Sequence, residues 1–329
     1  MPRQPRRAPS DRRTTEAGGC GRMLTVFGSI NLDAVFPVHR LAAAGDTVWT
    51  DTGRFAPGGK GLIQAAAAAA DGARVSLYGA VGRDPLAEVA LAAASRVGVD
   101  IRGVARVAAI TGRAAIAVTP DGHTAVVADR GANALARADQ VPGRAVGRGT
   151  TLLLQLDTAP AECASLILRA RAAGARVILN VSPSQPIDAD ALRAADLLIG
   201  NSEEIAWLGE RLGTGNNAAS IHAALATPTV RMLGVQGAEA TTQNGWFHMP
   251  AFAVEMRDTT AAGDCFVGVL ASALDRRLPF PQALQRAGVA AALSTRRVGG
   301  GETLPTARDI DAALPYAPQP TQQQQEVPA

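Results

Sequence analysis

The chain has 329 residues, 47% of them apolar and 19% charged. General disorder is excluded, and the length allows one large domain or two modest ones with a sizeable core. No stretch approaches the roughly 18 strongly apolar residues of a membrane span, and the formal charge of +3 does not describe a nucleic-acid-binding face. Residues 1–22 hold six arginines against Asp11 and Glu16, a segment charge of +4 that leaves −1 for the remainder. That segment lacks the apolar run of a secretory signal and is predicted to be a disordered basic tail.

The elements follow in chain order. Residues 23–28 form a short apolar run closed by glycine, the pattern of a buried strand. Residues 31–57 contain short alternating stretches, among them Thr47-Val48-Trp49-Thr50, expected to be strands of a sheet with one open face. Ile63 to Ala70 is helical by propensity, Val75 to Gly79 is a second buried strand, and Pro85 to Val97 has helical periodicity with proline in the first turn. Residues 113–128 alternate around Pro120-Asp121-Gly122 and are predicted to form a hairpin. Strands and helices then alternate: 152–156, 161–173, 176–180, 189–194, 197–199 and 202–209. This order implies βαβ units and a parallel sheet. A helix from 263 carries an apolar stripe on Phe266, Val269, Leu270, Ala273 and Leu274, and a second runs from Pro281 to Arg296. Residues 316–329, with the run Gln322 to Gln325, are predicted to be a disordered polar tail. The reading is an α/β core over 23–315, with a small β lid from about 31–57 and 104–130 covering the carboxyl ends of the core strands, where ligands of open α/β sheets bind.

Cys20, Cys163 and Cys265 are odd in number and widely spaced, which excludes a disulfide framework and suits a reducing cytoplasm. His39, His123, His222 and His248 show no metal-ligand spacing. Of the 32 basic residues, 31 are arginine; the one lysine is Lys60, inside Gly58-Gly59-Lys60-Gly61. A lone lysine in an arginine-rich chain is either chance or a position that needs a compact amine.

The stretch Asp258-Thr-Thr-Ala-Ala-Gly263-Asp264 places small residues and an acid at a helix start. Unpaired amides there attract an anion, and Asp264 beside it would take a proton from a hydroxyl. The plainer alternative is an acidic cap on an ordinary helix. This stretch resembles the carboxyl-terminal signature of the ribokinase family, the phosphofructokinase-B type of carbohydrate kinase. Gly28-Ser29-Ile30-Asn31-Leu32-Asp33 resembles its sugar-binding first loop, and Gly58-Gly59-Lys60-Gly61 with Gln64 its first signature. Thr111-Gly112 and Gly131-Ala132-Asn133 fall at lid positions, and Asn201-Ser-Glu-Glu204 matches its Asn-x-x-Glu motif. The resemblance spans about 23–310 and is nearest the ribokinase branch.

It implies a ribokinase-like three-layer α/β core with a mostly parallel sheet and a small β-sheet lid. The implied reaction is ATP-dependent transfer of the γ-phosphoryl group to a primary hydroxyl of ribose or a related sugar. Asp264 would be the base, and the amides of Ala261, Ala262, Gly263 and Asp264 the anion hole. Asn31, Asp33, Gly59, Lys60, Ile63 and Asp157 would line the sugar. Asn201 and Glu204 would hold Mg²⁺ and phosphate; Met232, Gly234, Gly237 and Gly288 would lie along the nucleotide. Asp258, Thr260, Ser294, Arg297, Gly299 and Thr303 match the positions of a monovalent cation, usually K⁺. The lid would pair two copies into a homodimer. Four positions depart from the pattern: Ile63 for asparagine, Asp157 for glutamate, Met232 for threonine, and Gly288 for a polar residue. They leave open a nucleoside or other hexose kinase, or a sugar-sensing protein without catalysis. Cys265 is either a packing residue or a reactive thiol at a helix start.

Overall fold

Apolar four- and five-residue runs become strands wherever helices cover both faces. In a computed structural model, residues 22–121, 123–297, 299 and 304–323 are described. The first half contains β1 (Leu24–Phe27), β2 (Asn31–Pro37), β3 (Arg54–Gly58), α1 (Lys60–Ala70), β4 (Val75–Val81), α2 (Pro85–Arg96), β5 (Asp100–Arg106), β6 (Arg113–Val118) and β7 (Thr124–Asp129). Then come β8 (Thr151–Leu154), α3 (Pro160–Ala172), β9 (Arg176–Asn180), α4 (Ala189–Ala194), β10 (Leu197–Asn201), α5 (Ser202–Leu212) and α6 (Ala218–Leu225). The last part holds β11 (Thr229–Met232), β12 (Ala238–Thr242), β13 (Gly245–Met249), α7 (Ala262–Asp275), α8 (Phe280–Ser294), α9 (Ala307–Ala313) and β14 (Thr321–Gln323).

The large sheet has the order β14-β13-β12-β11-β10-β9-β8-β1-β4-β5. Its strands from β11 to β5 are parallel, and the β11–β14 edge is antiparallel. Successive residues serve opposite layers. Leu24, Val26, Leu153, Ile178 and Ile199 join the core shared with α1, α7 and α8. Phe27, Leu152, Leu154, Leu179 and Leu198 join the core shared with α3 and α5. Burial on both faces explains why these strands are continuously apolar. The first layer is pinned where α1 ends: Asp71, fully buried, pairs with Arg286 of α8 and Arg276 after α7 and accepts from Ser272 Oγ at 2.7 Å.

The second sheet, β3-β2-β6-β7, is the lid. Three expectations need correction here. Thr47–Thr50 is loop, because β2 and β3 pair only through Asn31–Val35 and Arg54–Gly58, leaving the alternating stretch no partner strand. Residues 104–106 belong to β5 and pair with β4, so the second lid piece begins at Arg113 and not at 104. Residues 316–323 are not a disordered tail: Thr321–Gln323 extends the edge strand β13, whose free backbone groups accept even a polar segment. Residues 1–21, Gly122 and 324–329 lie outside the described residues. No described helix is long and apolar enough to cross a membrane.

Candidate active site

Polar residues close the apolar runs at the carboxyl edge of the sheet: Ser29 after β1, Gln155 after β8, Asn180 in β9 and Asn201 in β10. α1 and α7 begin over the same edge, bringing Lys60 and Asp264 to it. Gln64, fully buried in α1, donates from Nε2 to Asp264 Oδ1 at 2.8 Å and to Asn180 Oδ1 at 2.9 Å. Gln155 Nε2 donates to Gln64 Oε1 at 2.6 Å. This approach of α1 and α7 depends on Gly268, where a Cβ would strike the Gln64 carbonyl oxygen and lie 2.9 Å from the Ala67 methyl. The Asp264 carboxylate pushes the Lys60 ammonium above its ordinary value; burial opposes this, and Asp157 and Glu204 add to it. Lys60 is thus held charged among three acids.

The helix start differs from expectation in one detail. Ala261 caps α7 in the left-handed region, at φ 66°, and the Ala262 amide donates to the Thr259 carbonyl at 3.1 Å. At the first turn the amides of Gly263 and Asp264 have no backbone partner among the described residues. The Ala262 amide is engaged in the turn, while the residue itself lines the cavity at the start of α7 with Ala261 and Gly263.

Four of the residues assigned to a sugar lie on the lid side. Asn31 Oδ1 accepts from Asn133 Nδ2 at 2.8 Å, while Asn133 Oδ1 accepts from the Ile30 amide at 2.9 Å, so Asn133 fixes the first loop. Asp33 packs against Gly58, where any Cβ would meet its carboxylate, and burial raises its pKa from 3.8 to about 6. Gly59, at φ 85°, lies against the Ser29 carbonyl and leads into Lys60. Asp157 accepts from the Ser29 hydroxyl; burial pushes its carboxyl above the usual carboxylate range, with Ser29 and Lys60 opposing. Asp33 Oδ1 and Asp157 Oδ1 are buried without a partner. Both are acceptors, so the missing partner is a donor, as a hydroxyl is. Ile63 does not join them: it is buried in the core cluster beneath the site.

A cavity of about 550 Å³ opens on the other side of Lys60 and Asp264. Its lining combines the polar Asn180, Asn201 and Glu204 with the apolar Met249, Phe252, Val254 and Met256. Met232, Gly234, Gly237 and Gly288 all line it. Asn201 and Glu204 form a reciprocal cap on α5: each backbone amide donates to the other's side-chain oxygen at 2.8 Å. The pair thus caps α5 and lines the cavity at once. Gly288 leaves room for Met249, which would lie 3.3 Å from a Cβ there. Such a cavity suits a flat apolar ring at one end and an anionic tail reaching the start of α7 at the other.

Beside α7, Asp258 ties its neighbours together: its carboxylate accepts from the Thr260 amide at 2.8 Å and the Gly299 amide at 3.1 Å. Ser294 adjoins through Thr295, whose carbonyl accepts from the Arg257 and Asp258 amides. Arg297 is exposed, and Thr303 lies outside the described residues. Among the described residues, no cluster of three or more His, Cys, Asp or Glu side chains is placed to hold a metal. Burial pushes the Cys265 thiol up to about 12 and leaves it inert, a packing residue.

Gln155 and Asn180 are absent from the sequence-based set, and Ser29 and Asn133 enter it only within motifs, without a role of their own. The signal for three of them is simple: each is the polar residue that ends an apolar parallel strand.

Comparison with known proteins gives the family and the fold. A family profile described as pfkB family carbohydrate kinase matches residues 22–307. A ribokinase of Haemophilus influenzae is 30% identical over 309 residues, covering 90% of this chain and 99% of the relative. A ribokinase of Thermotoga maritima superposes with a TM-score of 0.79 at 27% identity, covering 89% of this chain and 99% of the other. An Arabidopsis thaliana ribokinase, solved with ribose and ATP, gives a TM-score of 0.78 at 26% identity over 88% of this chain and 98% of its own.

Proposed function

The chain belongs to the pfkB family of carbohydrate kinases, and from that premise we propose that it is an ATP-dependent kinase of ribose or a closely related sugar, with Asp264 as its general base. As a member of this family it is a phosphotransferase acting on a sugar alcohol; the acceptor, the nucleotide and the roles of single residues are our reading.

The carrying observation is the position of Asp264. It lines the cavity beside Lys60, whose charge it shares with Asp157, and two buried acceptors on the lid side, Asp33 Oδ1 and Asp157 Oδ1, call for hydroxyl donors. In this reading, ATP lies in the cavity with its base among Met249, Phe252 and Val254 and its terminal phosphate at α7. The sugar lies under the lid, held by Asn31, Asp33, Gly59 and Asp157. Asp264 takes the proton of the primary hydroxyl as its oxygen bonds to the γ-phosphorus. The bond from that phosphorus to the β–γ bridging oxygen breaks, and its electrons leave with ADP. The Gly263 and Asp264 amides and Lys60 face the charge that develops on the transferred group, in a reaction where positioning and electrostatics supply most of the rate.

Asn201 and Glu204 offer the hard oxygen that Mg²⁺ prefers, and the ion would supply charge neutralisation at the phosphates. Asp258, Thr260, Ser294 and Gly299 offer an oxygen-rich loop fit for K⁺ beside the anion hole. Two buried unpaired thiols, Cys163 and Cys265, suit a reducing cytoplasm. The exposed apolar residues of the lid suit pairing of two copies.

The test is ADP release with D-ribose, 2-deoxy-D-ribose, D-fructose and adenosine, with and without K⁺. Ribose is expected to give the highest kcat/KM, K⁺ to raise it, and Asp264→Asn to lower kcat by about 10²–10⁴ while sugar still binds. Wild-type turnover in that variant, or no acceptor above background, removes the proposal.

A further inference from the structure

We propose that Gln64 is a positioning residue for Asp264, set by a chain of buried amides whose direction is dictated from the backbone; the inference rests on the reading of Asp264 as the base. Each link can be oriented from its neighbour. The Ile199 carbonyl is only an acceptor, so the Asn180 group 2.9 Å from it is the Nδ2 amide. Asn180 Oδ1 therefore faces Gln64 and requires a donor there, which Gln64 Nε2 supplies at 2.9 Å. With Nε2 so placed, Gln64 Oε1 points the other way and accepts from Gln155 Nε2 at 2.6 Å. Both N–H bonds of Gln64 are then committed, one to Asn180 and one to Asp264 Oδ1 at 2.8 Å. A flipped Gln64 would place its oxygen against both the Asn180 oxygen and the carboxylate.

The consequence falls on the base. One carboxylate oxygen, Oδ1, already accepts from a donor that cannot turn, which makes the unengaged Oδ2 the more basic oxygen toward a hydroxyl. The plane of the carboxyl is fixed by a contact from another helix rather than by its own torsion. Gln64 and Gln155 are fully buried, Asn180 is 2% exposed, and none of the three is one of the acids or amides assigned to the reaction. Gln155 Oε1, at the far end, has no partner and lies against Gly28, where a Cβ would strike it. The chain thus ends under the backbone of the sugar-binding first loop. A packing role for Gln64 would make the same contacts, so the test separates position from stability.

The experiment uses the full chain and the acceptor with the highest kcat/KM in the panel above. Gln64→Met keeps length and removes the donor. It is expected to lower kcat by about 10- to 100-fold, the usual cost of a misplaced reacting group, with KM for sugar and ATP within about twofold. Added to Asp264→Asn, it should cost nothing further, because the residue acts only through that carboxylate. Gln155→Met, one link removed, should lower kcat about 3- to 10-fold in the same pattern, and it carries the test if Gln64→Met does not fold. Unchanged kcat in a folded variant, a loss confined to KM, or a full multiplicative loss on top of Asp264→Asn overturns the inference. Retained turnover in Asp264→Asn alone marks failure of the base assignment instead.

Discussion

Asp33, which we propose binds the sugar, is a side chain kept at the expense of the fold. Its carboxyl is raised from 3.8 to about 6, chiefly by burial, with bonds from the Ala114 backbone and the Asn31 side chain opposing. The folded state therefore holds a proton between about pH 4 and 6 that the unfolded chain has released. Stability falls as pH rises through that window, and above it the ionised carboxyl costs about 3 kcal/mol. Asp33→Asn should raise the melting temperature at pH 7.5, by the equivalent of up to about 3 kcal/mol, and change it little at pH 4. The same variant should weaken sugar binding and abolish the fall in sugar KM expected between pH 5 and 7 as the carboxylate forms. Thermal melts and KM across that range check both halves; a lower melting temperature at pH 7.5 would contradict the desolvation argument. Ile63 makes the contrasting case. Its place in the first signature suggests the sugar wall, but three residues of helix turn it into the core beneath.

The contact of α1 with α7 does at element level what Gln64 does at atomic level. Glycine inside a helix costs about 1 kcal/mol against alanine, and α7 accepts that cost at Gly268 because α1 passes against its backbone. The alanines of α1 and the Asp71 ion pairs at its end keep the two helices at that distance. Gly268→Ala should therefore lower stability, since overpacking of about 1–3 kcal/mol outweighs the gain in helix propensity. It should also lower kcat about tenfold with little change in KM, because α7 carries Asp264 away from Gln64. Denaturant unfolding and steady-state kinetics measure the two effects. A more stable, fully active variant would show that the helices do not meet there as tightly as the geometry requires.

For the molecule as a whole, the proposed pairing of two copies rests on the lid. Phe55, Val126 and Val127 are 68%, 55% and 77% exposed, and every residue of β7 faces solvent on this four-stranded sheet. Apolar residues concentrated on a small sheet lack a covering layer that a second copy would supply. Light scattering at micromolar concentration should give twice the chain mass, and Val127→Asp with Phe55→Ser should give one. A monomeric wild-type chain at that concentration would remove the lid-to-lid pairing.

Composition and pattern alone sufficed for the parallel α/β core and for a lid of two pieces, while Asp264 as candidate base needed the family resemblance of its motif as well. Strand burial and helix periodicity are local, and the motifs at 28–33, 58–64, 201–204 and 258–264 are contiguous. The amide chain from Gln155 through Gln64 to Asp264, the withdrawal of Ile63 into the core and the use of the Ala262 amide within its own turn had no such signature. Each depends on which element lies beside which. Hydrogen-bond direction and burial are set by neighbours distant in the chain, and those neighbours exist only once α1, β8, β9 and α7 have packed around one edge of the sheet.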